Sequence, residues 1–166
     1  MEQNQSEKWE GKASINVPNT KADEAWSLLS NFCSLHLWLP AIDVCEKVAG
    51  VEGQPGCVRY CAAAPSDGGK LVRWSKEELL GFDPVARSYC YEVTGSNIGF
   101  GRYMATFKVL AEEGEAGCKL EWSFESEPVE GWTQESLIAY LQTGLEGMAR
   151  RVEEALIAPP AVAPTE

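Results

Sequence analysis

The chain has 166 residues, 45% of them apolar, which suits one domain with a sizeable core that needs neither metal nor disulfide to hold it. Fourteen Lys and Arg against 25 Asp and Glu leave a net charge of −11, the wrong sign for a phosphate backbone or an anionic membrane surface, so nucleic acid is not an expected partner. A single histidine excludes zinc sites built on two or three imidazoles, and no apolar run approaches the roughly 20 residues of a membrane span.

Taken in order, residues 1–7 are polar and residues 158–166, rich in Pro and Ala, have no periodicity, so both read as flexible tails around a single domain spanning 8–157. From Lys12 to Val17 polar and apolar residues alternate, which predicts a half-buried strand ended by Pro18. Thr20 and Asp23 then make an [ST]xx[DE] start signal, and Ala25, Trp26, Leu28, Leu29 and Phe32 follow at helical spacing, giving short helices broken near Pro40. Six strands come next: Val44 to Val48, Cys57 to Cys61, Leu71 to Leu80, Ser88 to Val93, Tyr103 to Leu110 and Cys118 to Glu125. Punctuation at Gly53 to Gly56, Pro65 to Gly69, Gly81 to Pro84, Gly95 to Gly101 and Glu112 to Gly117 separates them. In the last strand Leu120, Trp122 and Phe124 face inward and Lys119, Glu121, Ser123 and Glu125 face water.

After Trp132 the period changes. Thr133 can cap a helix whose stripe is Leu137, Leu141, Leu145, Met148, Val152 and Leu156. A helix of that kind, about 36 Å long, must lie against the sheet. The order predicts an α+β fold in which a seven-stranded, curved antiparallel sheet wraps a long C-terminal helix, with two short helices after the first strand. A curved sheet cannot touch a straight helix along its whole length, and the gap is a natural pocket for a small molecule.

The six cysteines, at 33, 45, 57, 61, 90 and 118, are scattered singly, and the opening MEQNQSEKWE has no apolar signal core. They read as reduced thiols in a cytoplasmic protein. Cys57 and Cys61 face the same way on a strand but lack partner ligands, and the GQPG loop at Gly53 to Gly56 reads as a hairpin turn. His36 packs or caps near the end of the second short helix, with a place at the pocket mouth as the alternative.

The segments KWEGKA, VPNTKADEAW, GCVRY, WSKEEL, EWSFE and EGWT, in this order, resemble lachrymatory-factor synthase and the plant lachrymatory-factor-synthase-like proteins. That group belongs to the polyketide cyclase/dehydrase and lipid-transport proteins of the START-like superfamily, with the helix-grip fold of the major birch pollen allergen. The resemblance implies a cofactor-free isomerase that moves a proton on a small sulfenic acid using an Arg, a Glu and a Tyr. The Arg of the GCVR segment corresponds to Arg59, the Glu of the W-x-K-E segment to Glu77, and the Tyr before the A-T pair to Tyr103 in RYMAT. In those roles a guanidinium anchors an oxyanion, a carboxylate in an apolar cavity acts as base and then acid, and a phenol orients the substrate oxygen. No metal and no cofactor is implied. The sequence departs from the synthase in the small, turn-rich stretch between Arg59 and Glu77 and at Gly101 and Arg102, so the substrate does not transfer with the resemblance.

Alternation tests the three residues independently. Tyr103 shares a face with Ala105, Phe107 and Val109 and points inward, either as a functional phenol or as a core tyrosine. Val58 and Tyr60 read as the inner pair of their strand, which puts Arg59 outside with Cys57 and Cys61, whereas the resemblance puts it in the cavity. Glu77 is in phase with Leu71 and Leu79 but also with Arg73 and Ser75, so parity leaves it open. Arg59 and Glu77 can also form a structural ion pair that shapes the cavity without catalysis. The expected partner is a small apolar or amphipathic ligand, taken up by an isomerase or by a noncatalytic carrier or hormone receptor on the same fold. The gate and latch segments SGLPA and HRL of abscisic acid receptors do not occur in the sequence.

Overall fold

The computed structural model describes residues 8–63, 72–112, 114 and 116–157. The two expected tails, the turn at Pro65 to Gly69 and the start of the strand at Leu71 lie outside the described residues. Seven strands, β1 (Trp9–Val17), β2 (Val44–Ala49), β3 (Val58–Ala63), β4 (Arg73–Asp83), β5 (Ser88–Ser96), β6 (Tyr103–Ala111) and β7 (Cys118–Ser126), form one antiparallel sheet in the order β1-β7-β6-β5-β4-β3-β2. Helix α1 (Ala22–Leu29) and a 3-10 helix, η1 (Phe32–Leu37), carry the chain from β1 at one edge to β2 at the other. Successive hairpins then return it to β7, beside β1, and α2 (Gln134–Leu156) packs back along β1 and β7.

β7 shows why the sheet forms where it does. Leu120, Trp122 and Phe124 are buried at every second position, while the residues between them are more open. α2 starts as expected, with the Thr133 side chain accepting the Ser136 backbone N–H at 2.9 Å. Burying Leu137, Leu141, Leu145, Met148 and Val152 contributes about 1.5–3 kcal/mol each, enough to hold a helix whose outer face is polar. Leu156 departs from the expected stripe: it is the last residue of α2 and is 37% exposed.

Other departures have local causes. β1 begins at Trp9, earlier than Lys12, because Trp9, Glu10 and Gly11 still pair with Ser126, Glu125 and Phe124 of β7; at Gly11 a Cβ would collide with Ile138 of α2. The start signal of α1 is displaced by one residue. Lys21 is the cap, its backbone N–H donates to Glu24 Oε1 at 3.2 Å, and Thr20 is buried instead. Gly81 and Gly95, read as punctuation, lie inside β4 and β5, whose register slips between Lys76 and Glu77 and between Leu79 and Gly81. No helix among the described residues is long and apolar enough to cross a membrane.

Candidate functional site

The gap between sheet and helix holds a cavity of about 140 Å³. η1 and the loop after it supply an apolar wall of Leu35, Leu39 and Ile42, and Trp122 and Trp132 supply aromatic faces. Polar groups enter from the strands and α2: Ser75 and Glu77 from β4, Tyr91 from β5, Tyr103 from β6 and Tyr140 from α2. Arg73, exposed at the start of β4, also borders it.

β4 presents Arg73, Ser75, Glu77 and Leu79 on one face, and this face turns inward, with Ser75 and Leu79 buried. The stripe is polar because it borders a cavity and not a packed core. That resolves the open parity of Glu77. Its carboxylate is 14% exposed; Oε2 accepts the Ser75 hydroxyl at 3.0 Å, and Oε1 accepts Arg59 Nε at 2.8 Å. Arg59 Nη2 lies 2.7 Å from the same Oε1 as an ion-pair partner, although its N–H bonds are not aligned on that oxygen.

Arg59 overturns the alternation reading of β3. It is fully buried, with Cys57 and Cys61 buried on the same inward face, whereas Val58 and Tyr60 are the partly exposed pair. The outward Tyr60 is apolar in its pattern because it stacks on Trp74, ring centres 6.0 Å apart. Arg59 tolerates the interior because its charge is matched: Nη1 donates to the Phe32 carbonyl at 2.7 Å, and the guanidinium lies 3.9 Å from the Phe32 ring centre and 4.7 Å from that of Tyr91. Burial is the largest single influence and would lower its proton affinity, but the Glu77 carboxylate, with Tyr89, Cys61 and Tyr91 adding, more than offsets it and holds Arg59 well above its ordinary range. Arg59 does not line the cavity; it stands behind Glu77. From there the guanidinium reaches the carboxylate and not the cavity.

Tyr103 is buried, stacked on Phe124 at 5.7 Å and tilted against Phe100 at 4.8 Å. Its hydroxyl makes no hydrogen bond to another described residue. Burial first, with Glu77 and Tyr140 adding, raises its phenol well above the ordinary tyrosine range, so it remains a neutral donor. Tyr91 and Tyr140 are raised in the same way, by burial and then Glu77. Three phenols therefore face the cavity that Glu77 also faces. Tyr91 is further held by Trp122, whose Nε1 donates to its hydroxyl at 3.0 Å.

Ser75, Tyr91 and Tyr140 were missed from the sequence. The run Arg73, Ser75, Glu77 carried a signal, a polar stripe at strand spacing inside an apolar chain. Tyr91 and Tyr140 carried none, since aromatic residues in a strand or helix stripe read equally well as core. His36 lies in η1, away from the cavity lining, with Nδ1 buried and its carbonyl accepting Arg151 Nη1 at 3.3 Å. The turn between β2 and β3 has a role beyond hairpin closure: Glu52 accepts the backbone N–H groups of Phe32 at 2.7 Å and Cys33 at 3.1 Å, fixing the start of η1 and with it the Phe32 carbonyl that Arg59 uses. Among the described residues no three His, Cys, Asp or Glu side chains converge as a metal site.

Comparison with solved structures places the architecture. XoxI of Bacillus cereus superposes with a TM-score of 0.70 at 23% identity, over 90% of this chain and 96% of that one. A protein of Bacillus thuringiensis gives 0.68 at 23% over 90% and 99%, and one of Thermobifida fusca gives 0.69 at 19% over 89% and 95%. At these identities the likeness is one of fold. A family described as polyketide cyclase / dehydrase and lipid transport matches residues 8–153. With the seven-stranded sheet gripping α2, the chain belongs to the polyketide cyclase/dehydrase and lipid-transport family.

Proposed function

We propose that the cavity encloses a compact, mostly apolar molecule bearing an acidic O–H or C–H, and that Glu77 exchanges a proton with it in a cofactor-free isomerisation of the lachrymatory-factor-synthase kind. The observation that carries this reading is a carboxylate held in a mostly apolar cavity wall by Arg59 and Ser75. Glu77 takes the proton from the ligand and returns it at a second atom; Arg59 keeps the carboxylate aimed, and Tyr103 donates its hydroxyl to the ligand oxygen. Size supports a small ligand. A cavity of about 140 Å³ is close to the roughly 150 Å³ of an engineered apolar cavity that holds benzene, and far short of a diacyl lipid.

A noncatalytic carrier on the same fold is the second reading, favoured by the close Arg59–Glu77 pair, which serves equally as a fixed polar anchor. Native mass spectrometry of the purified protein identifies any copurifying ligand. Proton exchange is then read by NMR as deuterium uptake by that ligand in D2O. Catalysis predicts uptake that falls about 10²-fold or more in Glu77→Gln. Binding without uptake selects the carrier, and uptake unchanged in a folded Glu77→Gln protein removes Glu77 from the chemistry.

A further inference from the structure

The inward face of β4 carries two charged groups, Arg73 at its start and Glu77 further along, with Ser75 between them. They do not pair with each other. The intervening strand separates their Cα atoms by about 13 Å, and both Glu77 oxygens are already used, Oε1 by Arg59 and Oε2 by the Ser75 hydroxyl. The carboxylate in the cavity wall is therefore matched and the guanidinium is not: among the described residues Arg73 has neither an ion pair nor a side-chain hydrogen bond. In a chain of 25 Asp and Glu against 14 Lys and Arg, a cation left without a carboxylate does not reflect a shortage of acids.

The two charges mark opposite ends of the cavity. Glu77 is at the inner end, 14% exposed and bonded to the buried Ser75. Arg73 is at the outer end, exposed, as is Tyr140. Burial and Glu77 raise the Tyr140 phenol and Arg73 opposes them, so guanidinium and phenol lie within electrostatic reach at this rim. No other Lys, Arg, Asp or Glu among the described residues borders the cavity. A molecule that fills the apolar interior thus meets one unmatched charge, and meets it where it emerges. A guanidinium keeps its charge at any physiological pH and offers a planar fork of N–H donors that fits a carboxylate. The cavity of about 140 Å³ has room for a ring of benzene size, so a carboxylate attached to such a ring projects to the rim.

We infer that the guest is a compact amphipathic monocarboxylate, with its apolar body in the cavity and its carboxylate on Arg73 at the rim. Resting on the cavity as the ligand site, but not on proton transfer at Glu77, this orientation presents the far end of the guest to Glu77 and Tyr103. Arg73 is then the residue that distinguishes acids from neutral molecules of the same shape.

The probes are 4-hydroxyphenylacetate and 4-hydroxyphenylacetamide, which share a shape and differ by one charge. Each is titrated into the isotope-labelled full chain at neutral pH and followed by the NMR shifts of the backbone amides of Leu39, Trp122 and Leu137, which line the cavity. The acid should bind about 5- to 10-fold more tightly than the amide, the effect of one charge-assisted contact at an exposed rim. In Arg73→Gln the acid should lose that advantage while the amide keeps its affinity. Equal affinities in the unaltered protein, or an advantage that survives in folded Arg73→Gln, overturn the role of Arg73 and leave the cavity standing as the ligand site. Absence of shifts at all three residues with both probes overturns the two together.

Discussion

Arg59 gives its Nε–H to Glu77 Oε1 at 2.8 Å and, from a fully buried position, turns a carboxylate toward a cavity that it does not itself touch. Removing the carboxylate charge strands a buried cation. Glu77→Gln should lose about 3–5 kcal/mol in urea unfolding, whereas Arg59→Met together with Glu77→Gln should recover much of that loss. Losses that simply add in the double variant would show that the two residues are not one energetic unit.

Tyr103→Phe keeps the ring against Phe124 and Phe100 and removes only a hydroxyl that no other described residue binds. Stability should change by less than about 1 kcal/mol in the same unfolding experiment. Affinity for the copurifying ligand, measured by calorimetry, should fall by about 5- to 30-fold, the value of one hydrogen bond of about 1–2 kcal/mol. A large drop in stability with unchanged affinity would make the phenol structural.

Gly147 of α2 faces Pro40, and a Cβ placed there would lie 2.6 Å from Pro40 Cγ and 2.8 Å from Cδ. Alanine gains about 1 kcal/mol of helix propensity but must push a rigid ring away, at about 1–3 kcal/mol. Gly147→Ala should therefore be neutral to destabilising, and less favourable than Gly144→Ala, where the contact is the flexible end of Leu39 at 2.9 Å. Paired urea titrations give the order. A more stable Gly147→Ala would mean that the loop bearing Leu39 and Pro40 yields freely.

Tyr91 and Tyr103 are raised by burial, so the folded chain keeps these phenols protonated at a pH where an unfolded chain, with tyrosines near 10, ionises them. The unfolded state then releases protons that the folded state retains. Their contribution to stability is complete below about pH 10 and is lost as pH rises above it. Absorbance at 295 nm should show a steep phenolate step that coincides with loss of far-ultraviolet ellipticity. A gradual rise of these phenolates in a fully folded protein would contradict the burial of Tyr91 and Tyr103.

β7 and β6 were legible from alternation alone because one of their faces is a dry core, so hydropathy and burial coincide. β3 was read inside out for the opposite reason. Its inward face carries a cation matched by Glu77 and by two aromatic faces, contacts that come from η1, β4 and β5, and no local pattern encodes partners so distant in sequence. The Glu77 side of β4 was undecided because a cavity wall is neither core nor solvent. The α1 cap slipped by one residue where Thr20 and Lys21 compete, and tertiary burial of Thr20 settled it. The resemblance placed Arg59 inward where periodicity placed it outward, but it did not foresee that the guanidinium sits behind the carboxylate.

Two of the six tryptophans, Trp122 and Trp132, border the cavity. The protein is consequently its own optical sensor. A guest that displaces water from these indoles shifts or quenches their emission without any attached dye, so candidate ligands can be ranked on unlabelled protein.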